Sequence, residues 1–120
     1  MINLLKNIER VRGRLQNAAS KCERSSDDIT LLAVSKTRSA QMVRQAVEHG
    51  IRSFGENYLQ EALQKICELQ ELSLDWHFIG PIQSNKTRSV AENFSWVHSV
   101  DRVKIARRLN DQRPANMQKL

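Results

Sequence analysis

The sequence predicts an α/β protein made of successive strand–helix units behind a leading helix. Short apolar runs begin near residues 30, 51, 75 and 96, at steps of 21, 24 and 21 residues. The stretches between them carry apolar residues three and four apart, the period of a helix with one buried face. Each run also ends on polar residues: Ser35-Lys36, Glu56-Asn57, Gly80-Pro81 and Ser99-Asp101. Strands that alternate with helices call for a parallel sheet joined by right-handed crossovers.

The elements follow in order. Residues 2–22 read as a helix, with Ile2, Leu5, Ile8, Val11, Leu15, Ala18 and Cys22 as its apolar stripe and Arg10, Arg12, Arg14 and Lys21 off it. Residues 25–28 are a polar break. Residues 29–35 are short and nearly all apolar, the pattern of a strand buried on both faces. Ser39 is placed to cap a helix over residues 40–49, stopped by Gly50. Residues 51–54 form a second strand, and residues 58–72 a helix whose face holds Leu59, Leu63, Ile66 and Leu69. Residues 75–79 make a third strand, halted by Gly80-Pro81. Ser84 is placed to cap a helix through Asn93, residues 96–100 are a fourth strand, and a last helix spans about 102–111 before Pro114. Residues 1–120 read as one domain. Two architectures fit: a small open sheet, or half of a (β/α)8 TIM barrel, whose full form needs roughly 200 residues or more.

Composition narrows the function classes. With 40% hydrophobic and 27% charged residues in 120, the chain matches a globular domain rather than a disordered one. The longest apolar run, 29–34, is interrupted by Thr30, so no membrane association is expected. The first residues show no basic leader followed by an apolar core, and Cys22 and Cys67 stand far apart. Both features predict a reducing, cytoplasmic setting and no metal site. The net charge of +6 invites phosphate-bearing partners, either nucleic acid or a small ligand.

Ligands bind at the carboxyl ends of parallel strands, and three residues there have suitable chemistry. Lys36 directly follows the first strand. Partial burial at that edge would favour its neutral amine, the form that attacks an aldehyde. Its bland use is a surface lysine. His77 lies between Trp76 and Phe78; if that aromatic pair packs under helices, alternation turns His77 to the opposite face. Its bland use is a satisfied core histidine. Asn57 follows Gly55-Glu56 and has the groups to orient a hydroxyl or ring substituent, or merely to shape a turn. His49 and His98 read as structural. Residues 83–86 offer helix-start N–H groups for an anion, although plain capping by Ser84 suffices.

With these residues in hand, the chain resembles the pyridoxal phosphate homeostasis proteins. The resemblance rests on Leu31-Leu32-Ala33-Val34-Ser35-Lys36-Thr37, Phe54-Gly55-Glu56-Asn57-Tyr58 with Gln60-Glu61, Trp76-His77-Phe78-Ile79-Gly80, Gln83-Ser84-Asn85-Lys86 and Ser99-Val100-Asp101-Arg102. It implies a (β/α)8 barrel like the N-terminal domain of alanine racemase. Pyridoxal 5′-phosphate (PLP) would be held as a Schiff base on Lys36, with Asn57 and His77 lining the pocket. The implied role is intracellular vitamin B6 homeostasis without established catalytic turnover, with PLP and amino acids as small-molecule partners.

The family's chains are about twice as long, so the resemblance covers their N-terminal half. The Ser/Gly-rich and Arg-containing segments implied to grip the phosphate belong to the other half. Four parallel strands alone expose two sheet edges, which invites self-association. One alternative is a PLP-dependent racemase or lyase. Another is a basic RNA-binding module using Arg102, Lys104, Arg107, Arg108 and Arg113. It lacks an aromatic stacking platform, so no nucleic acid is expected.

Overall fold

The computed structural model describes residues 3–120. Its elements alternate as expected: α1 (Leu4–Lys21), β1 (Leu32–Val34), α2 (Ala40–Glu48), β2 (Ser53–Glu56), α3 (Leu59–Glu68), β3 (Asp75–Phe78), α4 (Thr87–Asn93), β4 (Trp96–Val97) and α5 (Val103–Gln112). Short 3-10 turns at Ser26–Asp28 and Ser84–Lys86 precede β1 and α4. The four strands run parallel in the order β1-β2-β3-β4. An open doubly wound sheet reverses its strand order and puts helices on both faces. Here the order never reverses and the helices share one face, which is how a (β/α)8 barrel is wound. The structure therefore favours the truncated barrel over the open sheet.

The core lies between the sheet and its helices. Ala33, Phe54, Trp76 and Phe78 point toward Val43 and Ala46 of α2, Ala62 of α3, Val90 and Ala91 of α4, and Ile105 and Leu109 of α5. Phe54 and Trp76 pack with ring centroids 5.7 Å apart, and Phe78 meets Phe94 edge-on at 5.2 Å. Arginines finish two of the helices. Arg12 Nη1 donates to the His49 carbonyl at 2.5 Å, past the end of α2, where Gly50 turns the chain with φ +89°. Arg113 Nη1 donates to the Ala91 and Phe94 carbonyls at 2.7 and 2.6 Å, closing α4.

Several expectations need correction. The α1 stripe is mostly exposed: Leu5 and Val11 are on the surface, while Ile8 and Ala19 carry the contact with the body. Ile2 of that stripe lies outside the described residues. β1 is not buried on both faces, because Leu32 and Ala33 are half-buried and Val34 is 53% exposed. Among the described residues only the helix-facing side of the sheet is covered. Helix α3 is shorter than residues 58–72, and β4 shorter than 96–100. Ser84 does not cap α4 through its side chain; its carbonyl accepts from Thr87 Oγ1 at 3.1 Å instead. Ser39 does cap α2, accepting from the Met42 N–H at 3.2 Å.

Candidate functional site

Register fixes what each face presents. Phe54 pairs with Trp76 and Glu56 with Phe78, so these four point to the helices. Gly55 pairs with His77, and His77 with Trp96, so these point to the opposite face together with Leu32, Val34 and Ile79. The aromatic pair thus packs under the helices, and His77 turns the other way.

Lys36 stands two residues past the end of β1, at the carboxyl edge, with its side chain exposed. The partial burial expected of it is not seen. The face beside it has no covering layer among the described residues, so nothing there removes water from the amine. Its backbone, in contrast, is tightly held. The Ser35 N–H donates to the Gly55 carbonyl at 2.9 Å, and the Ser35 hydroxyl donates to Glu56 Oε2. Lys65 Nζ of α3 donates to the Ser35 carbonyl at 2.6 Å and to Glu56 Oε2 at 2.9 Å, and lies 3.1 Å from Glu61 Oε1. Glu61 Oε1 in turn accepts the Thr37 N–H at 2.6 Å. Thr37 has φ +63°, a left-handed conformation that costs a β-branched residue about 1–2 kcal/mol. Those surrounding bonds offset the strain.

Asn57 caps the end of β2 in a different environment. Its Oδ1 is buried without a hydrogen-bond partner. It borders a cleft of about 420 Å³ between the β2–α3 and β3–α4 loops, shared with Tyr58, Gln60, Pro81, Gln83 and Lys86. The facing chain can come close only because residue 80 is glycine: a Cβ there would overlap the Asn57 carbonyl oxygen.

His77 is buried near the end of β3. Its ring stacks on Trp96, with centroids 5.6 Å apart and planes 4° from parallel. Its Nδ1 lies 2.9 Å from Nε2 of His98, so one imidazole must donate and the other accept. Burial holds the His77 pKa below the usual imidazole range; repulsion by His98 adds to this and attraction by Asp75 opposes it.

The fold therefore brings Lys36, Asn57 and His77 to one end of three adjacent strands. No hydrogen bond joins any two of them among the described residues. Two parts of the site escaped the sequence reading. From sequence alone His98 reads as structural, yet it is the hydrogen-bond partner of His77; a register matching His77 to Trp96 places residue 98 on the same face. The Glu56–Lys65–Glu61 cluster was missed as well. Its signals were a glutamate alternating with Phe54, hence facing the helices, and a Glu/Lys pair four apart in α3.

The basic C-terminal segment is partly spoken for. Arg113 is tied to carbonyls, Arg108 Nε donates to Thr87 Oγ1 at 3.2 Å, and Arg102 lies 3.6 Å from Asp101. Those contacts occupy guanidinium donors that an RNA module would need, although only the Arg102–Asp101 pair offsets charge. Among the described residues, no group of three or more His, Cys, Asp or Glu side chains is placed to hold a metal. No described helix is long and apolar enough to cross a membrane.

Comparison with known proteins adds the wider context. No family model matches the chain. It is 58% identical over 117 residues to the pyridoxal phosphate homeostasis protein of Pseudomonas aeruginosa, covering 98% of this chain and 51% of that one. It is 53% identical over 120 residues to the protein of that name from Escherichia coli K12, again 51% of its length. The chain thus spans about half the length of these curated relatives. Among solved structures, PipY of Synechococcus elongatus PCC7942 with PLP bound superposes with a TM-score of 0.70 at 42% identity, over 82% of this chain and 47% of PipY. An unknown protein from Bifidobacterium adolescentis gives a TM-score of 0.78 at 27% identity, over 90% of this chain and 48% of that one.

Proposed function

We propose, from its kinship with the pyridoxal phosphate homeostasis proteins over about half their length, that this chain binds PLP through Lys36 and serves intracellular vitamin B6 homeostasis. The observation that carries the reading is the position of Lys36 at the carboxyl edge of β1, in a fold that superposes on PLP-bound PipY. When bound, the cofactor supplies an aldehyde to which an amine attaches with loss of water.

The residues fit the aldehyde and ring end of such a group. Lys36 offers a reachable amine on a fixed backbone. Asn57 Oδ1 is a buried acceptor still lacking a donor, which a ring hydroxyl or a protonated ring nitrogen would satisfy. His77, kept neutral by burial, adds no charge beside the ring. The phosphate grip that the resemblance implies belongs to the other half of the relatives. We therefore expect affinity for PLP well below that of a full-length relative.

We read the role as binding without turnover. Catalysis on an amino acid needs an acid and a base placed at the reacting carbon. Here the two nearest imidazoles engage each other, at 2.9 Å. Cytoplasmic location and exchange with free amino acids belong to the same reading, as does contact between copies through the open sheet edges.

The test is chemical trapping. The chain is mixed with PLP, reduced with borohydride and mapped by peptide mass. Label on Lys36, lost in Lys36→Ala, supports the reading. Label on other lysines with Lys36 unmodified sinks it. Deuterium incorporation at the α-carbon of an amino acid, abolished by Lys36→Ala, would instead establish an enzyme.

A further inference from the structure

We infer that Glu61 and Lys65 of α3 are positioning residues that aim the Lys36 amine, an assignment that rests on the cofactor role proposed for Lys36. The two peptide groups that flank Lys36 are both held by side chains of one helix. On the N-terminal side, the Ser35 carbonyl accepts from Lys65 Nζ at 2.6 Å. On the C-terminal side, the Thr37 N–H donates to Glu61 Oε1 at 2.6 Å. The two holders are themselves joined, with Lys65 Nζ 3.1 Å from Glu61 Oε1.

Lys65 and Glu56 are buried, and Glu56 is completely so. Removing two charges from water is costly unless they are paired and further hydrogen-bonded. The pair is bonded further through Ser35, whose hydroxyl donates to Glu56 Oε2 and whose carbonyl accepts from Lys65, while Glu56 Oε1 is buried without a partner. The cluster therefore sits where it can fix the loop, not merely where it can fill the core. With both flanking peptides fixed, the Cα–Cβ direction of Lys36 is fixed, while its four-carbon stem stays free in solvent. Thr37 at φ +63° is part of this arrangement, because its N–H reaches Glu61 in that left-handed turn. The Glu61/Lys65 spacing of four residues on α3 is what lets one helix reach both sides of residue 36.

The experiment uses the full 120-residue chain. Glu61→Ala is chosen because the Glu61 side chain is 30% exposed, so the fold should survive its loss. Glu61→Gln keeps an oxygen acceptor for Thr37. Three readouts are taken: amide exchange at Thr37 by NMR, borohydride-trapped PLP on Lys36, and reductive methylation of Lys36 by formaldehyde. Formaldehyde has no ring or phosphate to dock and needs no aim. Glu61→Ala is expected to speed Thr37 exchange by about tenfold, the loss of one hydrogen bond. Trapped PLP on Lys36 should fall about fivefold or more. Methylation should change by less than about twofold, and Glu61→Gln should recover most of the trapping.

Faster exchange with unchanged trapping overturns the positioning role, as does unchanged exchange. Equal losses of trapping and methylation overturn it too, since they would mean general disturbance. If the unaltered chain traps no PLP on Lys36 at all, the cofactor reading fails and the aiming role falls with it; the exchange result then reports only how the loop is held.

Discussion

Three glycines of this chain make a single substitution change sign with location. At Gly80, an added Cβ would overlap the Asn57 carbonyl oxygen and lie 3.0 Å from Asn57 C and Cα. Those are backbone atoms at the end of a buried strand, so one loop must move. Overpacking of this kind costs about 2–3 kcal/mol, a large share of the roughly 5–15 kcal/mol that holds a domain folded. At Gly13, inside α1, a Cβ meets nothing within 4 Å. Alanine there should stabilise by about 0.5–1 kcal/mol, through helix propensity and a less flexible unfolded chain. At Gly55 the nearest atom is the flexible tip of Ile79, 3.1 Å away, which can rotate aside at a cost of about 1 kcal/mol or less. Urea unfolding of Gly80→Ala, Gly55→Ala and Gly13→Ala should thus rank them in that order from least to most stable, with wild type just below Gly13→Ala. Gly80→Ala should also lower the thermal midpoint by about 8–12 °C. A Gly80→Ala protein within about 0.5 kcal/mol of wild type would refute the close approach of the two loops.

Other outcomes follow from the same contacts. Lys65→Met removes the partner of a completely buried Glu56 and should destabilise by about 3–5 kcal/mol; Lys65→Met with Glu56→Met should recover part of that loss, and equal instability of single and double variants would disprove the pairing. Arg12→Met should cost about 1–2 kcal/mol in the same denaturation assay by freeing the His49 carbonyl at the end of α2, and an unchanged midpoint would show that bond to be idle. His77 has a folded pKa below its unfolded value, so the unfolded chain takes up the proton first as pH falls. Stability is complete above about pH 6.5 and declines below it until the folded pKa is passed, with a slope of at most about 1.4 kcal/mol per pH unit for this one proton. His77→Gln should flatten the stability profile between pH 7 and 5; an undiminished slope would assign the proton elsewhere.

The order of elements was legible because it depends on local pattern. Apolar runs and three-to-four spacing located every strand and helix to within a few residues. What was lost depended on contacts between distant residues. The uniform apolarity of 29–34 implied cover on both faces of β1, yet apolarity records what a segment tolerates rather than what lies over it, and Val34 is exposed. The outer stripe of α1 misled for a related reason, since that helix meets the body through its turns near α2 and near the Ser26–Asp28 turn. Lys36, Asn57 and His77 were legible as chemistry at strand ends. Their supports were not, because Lys65 becomes meaningful only when α3 is folded back over β1 and β2, and His98 only when β3 and β4 are in register.

The two faces of the sheet divide the labour. On the helix side, charge is paired: Lys65 bridges buried Glu56 and half-buried Glu61, and the three hold the loop after β1, with Glu56 Oε1 left without a partner. On the other side, Val34 and Trp96 remain more than half exposed, and the imidazoles of His77 and His98 pair with each other. A reactive lysine is commonly singled out by desolvation, but Lys36 keeps its water in this structure. In the proposed PLP-binding role, selectivity for this amine over the other lysines would then come from direction. A fixed Cα–Cβ vector at the strand end would, in that role, raise the local concentration of amine at the carboxyl edge, and proximity of that kind is worth several kcal/mol in favourable cases. Exposure of the amine and rigidity of its backbone are therefore parts of one arrangement, in which α3 supplies the rigidity.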